Sequence, residues 1–426
     1  MTQQIGIRCT ICNSIYPESD MYYCPKCGKP EQPTPFNNTL EIFYNYEDIA
    51  RKVRKSDIAT RVNCIWRYRE ILPISSIDNV VTLGEGSTPL RRCRRLEEHF
   101  GIKEVYVKDE SVNPTCCHKD REASVLISKA REWDRGTIAA FTCGNLGASV
   151  AAYSAKGGLR CVILIPYADI YPVPRIAQMT VFGANLYQIS GTETELLDLA
   201  RTLHDQYDWV FPILGGGVRW EGKPQTPYVH EGKKTIALEI VEQLDWRYPD
   251  HLISCGSGGN FYDSWKAFLE IQKLNWAQGD LPKMHSAESA SANPTYRAFT
   301  EQKEYVILEK TERTVAYPIS SAVSPLKSLS ALKESNGSPL SLTDGQLLEA
   351  QRLLARKEGV FVEPASAASI GALKELARDG SIDKDQSVVC IVTASGLKYP
   401  EVIVDRAAKL PTMRANIESL KELGLL

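Results

Sequence analysis

Short apolar runs that stop at glycine or proline and give way to helical spacing recur through this chain. They restrict its fold more than any other feature. Ile138-Ala139-Ala140-Phe141 precedes a glycine turn and a helical pattern, and Cys161-Val162-Ile163-Leu164-Ile165 ends at Pro166. Val388-Val389-Cys390-Ile391-Val392 leads into a further glycine loop. Strands that are apolar throughout are covered on both faces, as in parallel sheets flanked by helices. Such sheets bind ligands at the carboxyl ends of their strands, so the loops after these runs are the candidate site. A length of 426 residues supports two or three packing units. No run reaches membrane-spanning length and no apolar leader is seen. A formal charge of −2 gives no general attraction to nucleic acid or anionic lipid. A cytoplasmic location is expected, with neither nucleic acid nor membrane as partner.

Of the 12 cysteines, Cys9, Cys12, Cys24 and Cys27 form two CxxC knuckles, while the rest are scattered. This pattern reads as a structural zinc ribbon over residues 1–35 in a reducing compartment, not as a disulfide framework. So small a unit buries little apolar surface, so the metal is expected to supply much of its stability. Residues 36–80 read as a linker and leading helices, with residues 40–72 helical from the spacing of Tyr46, Ile49, Val53 and Ile58. Residues 81–405 carry the α/β alternation, and 406–426 read as a C-terminal helical tail.

Five segments of the α/β region carry chemistry. Asn113-Pro114-Thr115-Cys116-Cys117-His118-Lys119-Asp120-Arg121 joins the strand-like Val105–Lys108 to helical spacing at Ala123–Ala130, which puts Lys119 near a helix start. An amine desolvated there, near positive backbone dipole, favours its neutral form and suits an aldehyde cofactor held as a Schiff base. Thr142-Cys143-Gly144-Asn145-Leu146-Gly147 opens the helix Ala148–Lys156 with N–H groups suited to a carboxylate. In Cys255-Gly256-Ser257-Gly258-Gly259-Asn260, three glycines let the backbone close on an anion, and the dinucleotide fingerprint does not fit. Leu83-Gly84-Glu85-Gly86-Ser87-Thr88-Pro89-Leu90 offers two hydroxyls to a phosphate, and Ile391–Lys398 sets Thr393 at a strand end.

Together these segments resemble the threonine synthase family of pyridoxal-phosphate enzymes, from the first cysteines to about residue 405. The family's lysine run is usually Asn-Pro-Thr-Gly-Ser-Phe-Lys-Asp-Arg. The resemblance implies a fold type II enzyme, with two open, mostly parallel α/β domains after the ribbon. The smaller, mobile one falls at approximately 123–215. It implies that Lys119 holds pyridoxal 5'-phosphate and acts as general base, and that Asn145 meets the ring oxygen. Gly256, Ser257, Gly258, Gly259 and Asn260 would hold the cofactor phosphate, and Thr393 would face the ring nitrogen. Thr142, Cys143 and Gly144 would take the carboxylate of an amino-acid substrate, and Ser87 and Thr88 its phosphate. The implied reaction eliminates phosphate from O-phosphohomoserine and adds water to give threonine, in a homodimer.

Departures gather at the site. Cys116-Cys117-His118 stands where Gly-Ser-Phe is usual, Glu122 replaces the glycine after the arginine, and Cys143 and Cys255 replace other residues. The thiols read as small fillers or as a second metal cluster with His118. Thr226–Thr235 matches a family segment written Asn-Pro-Tyr-Arg-x-Glu-Gly-Gln-Lys-Thr, but Val229 occupies the arginine position, with His230 as partial compensation. Two alternatives therefore stay open. One is a β-replacement or dehydratase enzyme using O-phosphoserine or a similar β-activated amino acid. The other is a catalytically dead zinc-ribbon binding protein.

Overall fold

The computed structural model describes residues 4–166, 173–404 and 414–422, and its strands form three sheets. The first is antiparallel, with β1 (Gln4–Cys9) between β2 (Ile15–Tyr16) and β3 (Leu40–Tyr44). β3 corrects the expectation of helix from residue 40. Leu40-Glu41-Ile42-Phe43-Tyr44 is rich in β-branched and aromatic side chains, which favour a pleated surface. Helix begins only at Tyr46–Lys52, where the Asn45 side chain accepts from Asp48 N at 3.1 Å.

Past residue 80 the strands are β4 (Leu90–Arg92), β5 (Glu104–Asp109), β6 (Thr137–Phe141), β7 (Arg160–Pro166), β8 (Asn185–Ile189), β9 (His251–Cys255), β10 (Lys283–Ser289), β11 (Pro339–Leu342) and β12 (Ser387–Val392). The large sheet has the order β11-β10-β9-β12-β5-β4 and is parallel except at its β4 edge. A separate parallel sheet has the order β6-β7-β8. Every residue of β9 and β12 is buried, and in β12 this accounts for the continuous apolar run Val388–Val392.

The helix Lys119–Glu132 runs through the interior, buried from Asp120 to Ala130, and packs against helices Asn145–Gly157 and Tyr228–Lys233. The second contact depends on Gly232, because a Cβ there would strike the Arg121 carbonyl oxygen. This approach brings Lys233 beside Glu122. The cysteine-bearing segment docks through Tyr22, whose hydroxyl donates to Phe211 O at 2.8 Å and accepts from Phe211 N at 2.9 Å. An ion pair between Glu18 and Lys129 adds to this docking. Of the expected 406–426 tail, Ile417–Glu422 is helical, while 406–413 and 423–426 lie outside the described residues. Among the described residues no helix is long and apolar enough to cross a membrane.

Candidate active site

The loops after β5, β6, β9 and β12 all leave the carboxyl ends of parallel strands. Lys119 is the first residue of its helix, and its Nζ lies 3.2 and 3.3 Å from the two oxygens of Glu122. A carboxylate is therefore the immediate neighbour of the amine. The lysine run is stitched to the last loop: His118 N donates to Thr393 O at 2.9 Å and Ser395 N to Cys116 O at 3.1 Å. Lys398 Nζ donates to Thr115 O at 2.6 Å. Thr393 Oγ1 sits 2.8 Å from Ser366 Oγ and accepts from Cys255 Sγ at 3.4 Å.

In the glycine loop, Gly256 N donates to Ala287 O at 2.7 Å. The Ser257 hydroxyl is taken up by Glu288 Oε1 at 2.5 Å and by Thr295 Oγ1 at 2.7 Å, so only its backbone is left for a ligand. A Cβ on Gly258 would run into the Glu221 carboxylate, and one on Gly259 would lie 2.6 Å from Lys233 Nζ. Both amide atoms of Asn260 are buried without a partner. Lys233 Nζ also lies 3.0 Å from Glu122 Oε2 and 3.4 Å from Asp263 Oδ2. Glu122 thus links Lys119 to Lys233, and Lys233 links both to the glycine loop. Lys233 stands where the family segment carries glutamine, so two departures from the family pattern pair with each other. Burial opposes charge on Glu122, but Lys119 and Lys233 outweigh it and bring its pKa to about 2. Burial pushes Glu221 and Asp263 each up to about 7, with Lys233 pulling the other way. A helix start at the half-buried Gly258 and Gly259, with an orphaned amide and a lysine, fits a phosphate group.

His230 does not replace the missing arginine. Its Nδ1 is 2.8 Å from Asp263 and its Nε2 3.2 Å from Asn38 Oδ1, and burial holds the ring neutral, well below the usual histidine range. Val229 belongs to the apolar core with Leu126 and Tyr153. The Thr88 hydroxyl is also committed, donating to Glu110 Oε1 at 2.6 Å and accepting from Arg121 Nη2 at 3.2 Å. Ser87, held with φ +47° by a bond from its N–H to Glu239 Oε1 at 2.8 Å, keeps a buried hydroxyl without a partner.

Asn145 follows the N-cap Gly144, its Nδ2 3.2 Å from both Glu363 oxygens and its Oδ1 unpaired. Thr142 Oγ1 accepts from Gly144 N at 3.0 Å, and Cys143 is half-buried beside them. Sequence reading missed Arg175, which donates to Glu363 Oε1 at 2.6 Å. A lone arginine among apolar helical neighbours carries no signal of burial.

Burial pushes the Cys117 thiol up to about 12 and Cys255 to about 11, and raises Cys143 too, so these cysteines are protonated fillers. Cys116 adopts φ +62°, the left-handed region that suits the glycine usual there. Among the described residues no second group of metal-ligating side chains gathers around His118. Among the described residues the one group of metal-ligating side chains is Cys9, Cys12, Cys24 and Cys27. Their sulfurs are 3.3 Å apart for Cys9–Cys27, 3.6 Å for Cys12–Cys24 and 3.8 Å for Cys12–Cys27. Four thiolates on one tetrahedral zinc would be separated by about 3.8 Å, so the set fits that ion.

The sequence pattern of the family described as "Pyridoxal-phosphate dependent enzyme" matches residues 81–394. The chain is 38% identical to the threonine synthase of Methanocaldococcus jannaschii over 407 residues, 95% of each chain. It is 35% identical to that of Methanosarcina acetivorans over 98% of each. Against the threonine synthase of Halalkalibacterium halodurans it is 36% identical over 82% of this chain and 94% of that one. Among solved structures, maize serine racemase superposes with a TM-score of 0.60 at 17% identity, covering 75% of this chain and 91% of that one. Diaminopropionate ammonia lyase from Escherichia coli gives 0.62 at 19% identity, over 75% and 87%. At these identities the two structures speak to the fold.

Proposed function

The chain belongs to the pyridoxal-phosphate-dependent enzymes and, among them, to the threonine synthase family, and from that premise we propose how its residues run the reaction. It is a pyridoxal-phosphate-dependent lyase of the threonine synthase type. The cofactor, when bound, withdraws electrons from the substrate's α-carbon. Lys119 Nζ holds the cofactor aldehyde and then takes the α-proton from the substrate. Gly256, its own N–H spent on Ala287 O, shapes the turn in which the Ser257, Gly258 and Gly259 backbone takes the cofactor phosphate, with the Asn260 amide beside them. Asn145 orients the ring, and Thr393 offers its nitrogen a neutral hydroxyl. The turn at Thr142, Cys143 and Gly144 receives the substrate carboxylate, and Ser87 is the hydroxyl left for the substrate phosphate.

The substrate we propose is O-phosphohomoserine, with water added to give threonine. One observation carries this reading: Lys119 is tied through Glu122 and Lys233 to the glycine loop and through His118 to Thr393. Incubation with O-phosphohomoserine is expected to release phosphate and threonine in equal amounts. Neither product from cofactor-loaded protein would sink the assignment. O-Phosphoserine and other β-activated amino acids would then be the substrates to try, a second reading favoured by the buried Val229.

We also propose that residues 1–35 bind a structural zinc, that the catalytic region spans 81–405 with its smaller mobile part at about 123–215, and that the chain acts as a cytoplasmic homodimer. The sulfur spacings support the zinc, and the family resemblance supports the rest. Metal analysis should find about one zinc per chain. Cys24→Ser is expected to lose it and to speed proteolysis around Glu18–Tyr23, whereas full zinc content in that variant would refute the site.

A further inference from the structure

Arg175 is a completely buried cation that the chemistry above leaves unused. Its Nη2 donates to Glu363 Oε1 at 2.6 Å, but Glu363 is shared with Asn145. Among the described residues, Nε and Nη1 are buried with no hydrogen-bond partner. A guanidinium keeps its charge, and buried donors left unmade are costly, so a ligand that accepts from both nitrogens would relieve the site. The group is also aimed. Tyr317 and Tyr399 rings flank it, 5.1 and 5.5 Å from the guanidinium carbon. Its Nη1 lies 4.0 Å from where a Cβ on Gly144 would be, beside the Thr142–Gly144 turn. Nearby Lys398 is already committed to Thr115 O and Gln178.

We propose that Arg175 binds an oxyanion of the substrate, its phosphate ester or its α-carboxylate, and so supplies the planar fork that Val229 lacks. This rests on reading the Thr142–Gly144 turn as the substrate end of the site. Planar guanidinium matches both oxyanions, and an ammonium does not reproduce that match.

The test reads the affinity of inorganic phosphate and homoserine by calorimetry, and that of O-phosphohomoserine as the KM for threonine release, on cofactor-loaded wild type, Arg175→Gln and Arg175→Lys. Arg175→Gln is expected to weaken binding by about 10- to 100-fold, as for loss of a charge-assisted hydrogen bond, with the cofactor's affinity and absorbance unchanged. Arg175→Lys keeps the charge opposite Glu363, guards against misfolding, and should fall between. Weakening confined to inorganic phosphate and O-phosphohomoserine assigns the phosphate ester. Weakening that extends to homoserine assigns the carboxylate. Wild-type affinity for all three probes in both variants overturns the inference. Failure of the functional reading looks different: wild type would then release no threonine, whatever Arg175 binds.

Discussion

Lys119→Ala is expected to lower turnover of the phosphorylated amino acid by about 10³-fold or more, since one nitrogen is asked both to hold the cofactor and to move the α-proton. The fold should survive. Lys119 is partly exposed, and Glu122, its salt-bridge partner among the described residues, keeps Lys233 at 3.0 Å, so that buried carboxylate is not orphaned. A stability loss of no more than about 1 kcal/mol follows, the scale of one ordinary substitution away from the core. Two measurements separate the chemical from the structural effect. The absorbance of lysine-bound cofactor should disappear, while the unfolding transition stays close to wild type. Retention of a tenth of the wild-type rate would remove Lys119 from its assigned role. The dead-protein alternative makes the opposite forecast, because wild type would then show neither the absorbance nor turnover.

Strands of both the large sheet and the separate β6-β7-β8 sheet, and the loops after them, were legible because apolar continuity and glycine punctuation are local signals. Ile138–Phe141, Cys161–Ile165 and Val388–Val392 all lie within strands. Lys119, Asn145 and Gly259 each open a helix or fall in its first turn, as loop spacing implied. What stayed illegible is which hydroxyl faces inward and which is spent. Thr88 and Ser257 look like ligand donors in sequence, yet Glu110 and Glu288 claim them. Those carboxylates come from 22 and 31 residues away, a separation no local pattern records. The Glu122–Lys233 pair is similar: Glu122 reads singly as an oddity, Lys233 draws no notice, and only the Gly232 approach shows that they answer each other. β3 was misread because its apolar spacing merges with that of the helix after Asn45.

Arg121→Met is expected to destabilise the protein by about 3–5 kcal/mol, the cost of removing one partner from a buried ion network. Arg121 is completely buried and bridges two carboxylates. Its Nε and Nη2 donate to Glu110 at 2.7 and 2.8 Å, and its Nη1 and Nη2 donate to Glu239 at 2.6 and 2.8 Å. Without it, Glu239 retains Lys108 at 2.7 Å, whereas Glu110 is left with the neutral donors Thr88 and Asn113. The effect should depend on pH, and its sign follows from Glu239. Burial raises that carboxyl, but Arg121 and Lys108 outweigh burial and bring it to about 2, below the ordinary 4.5. A depressed carboxylate contributes stability that is present above about 4.5 and lost as pH falls toward 2. The deficit of Arg121→Met should therefore be largest near neutrality and shrink in acid. Urea unfolding of both proteins at pH 7 and pH 4 reads this directly. A deficit under about 1 kcal/mol at pH 7 would mean that the two carboxylates find other partners. The same network reaches the substrate side of the site, because Glu239 also receives Ser87 N at 2.8 Å. Arg121→Met should accordingly raise the KM for the phosphorylated substrate under conditions where the variant is still folded.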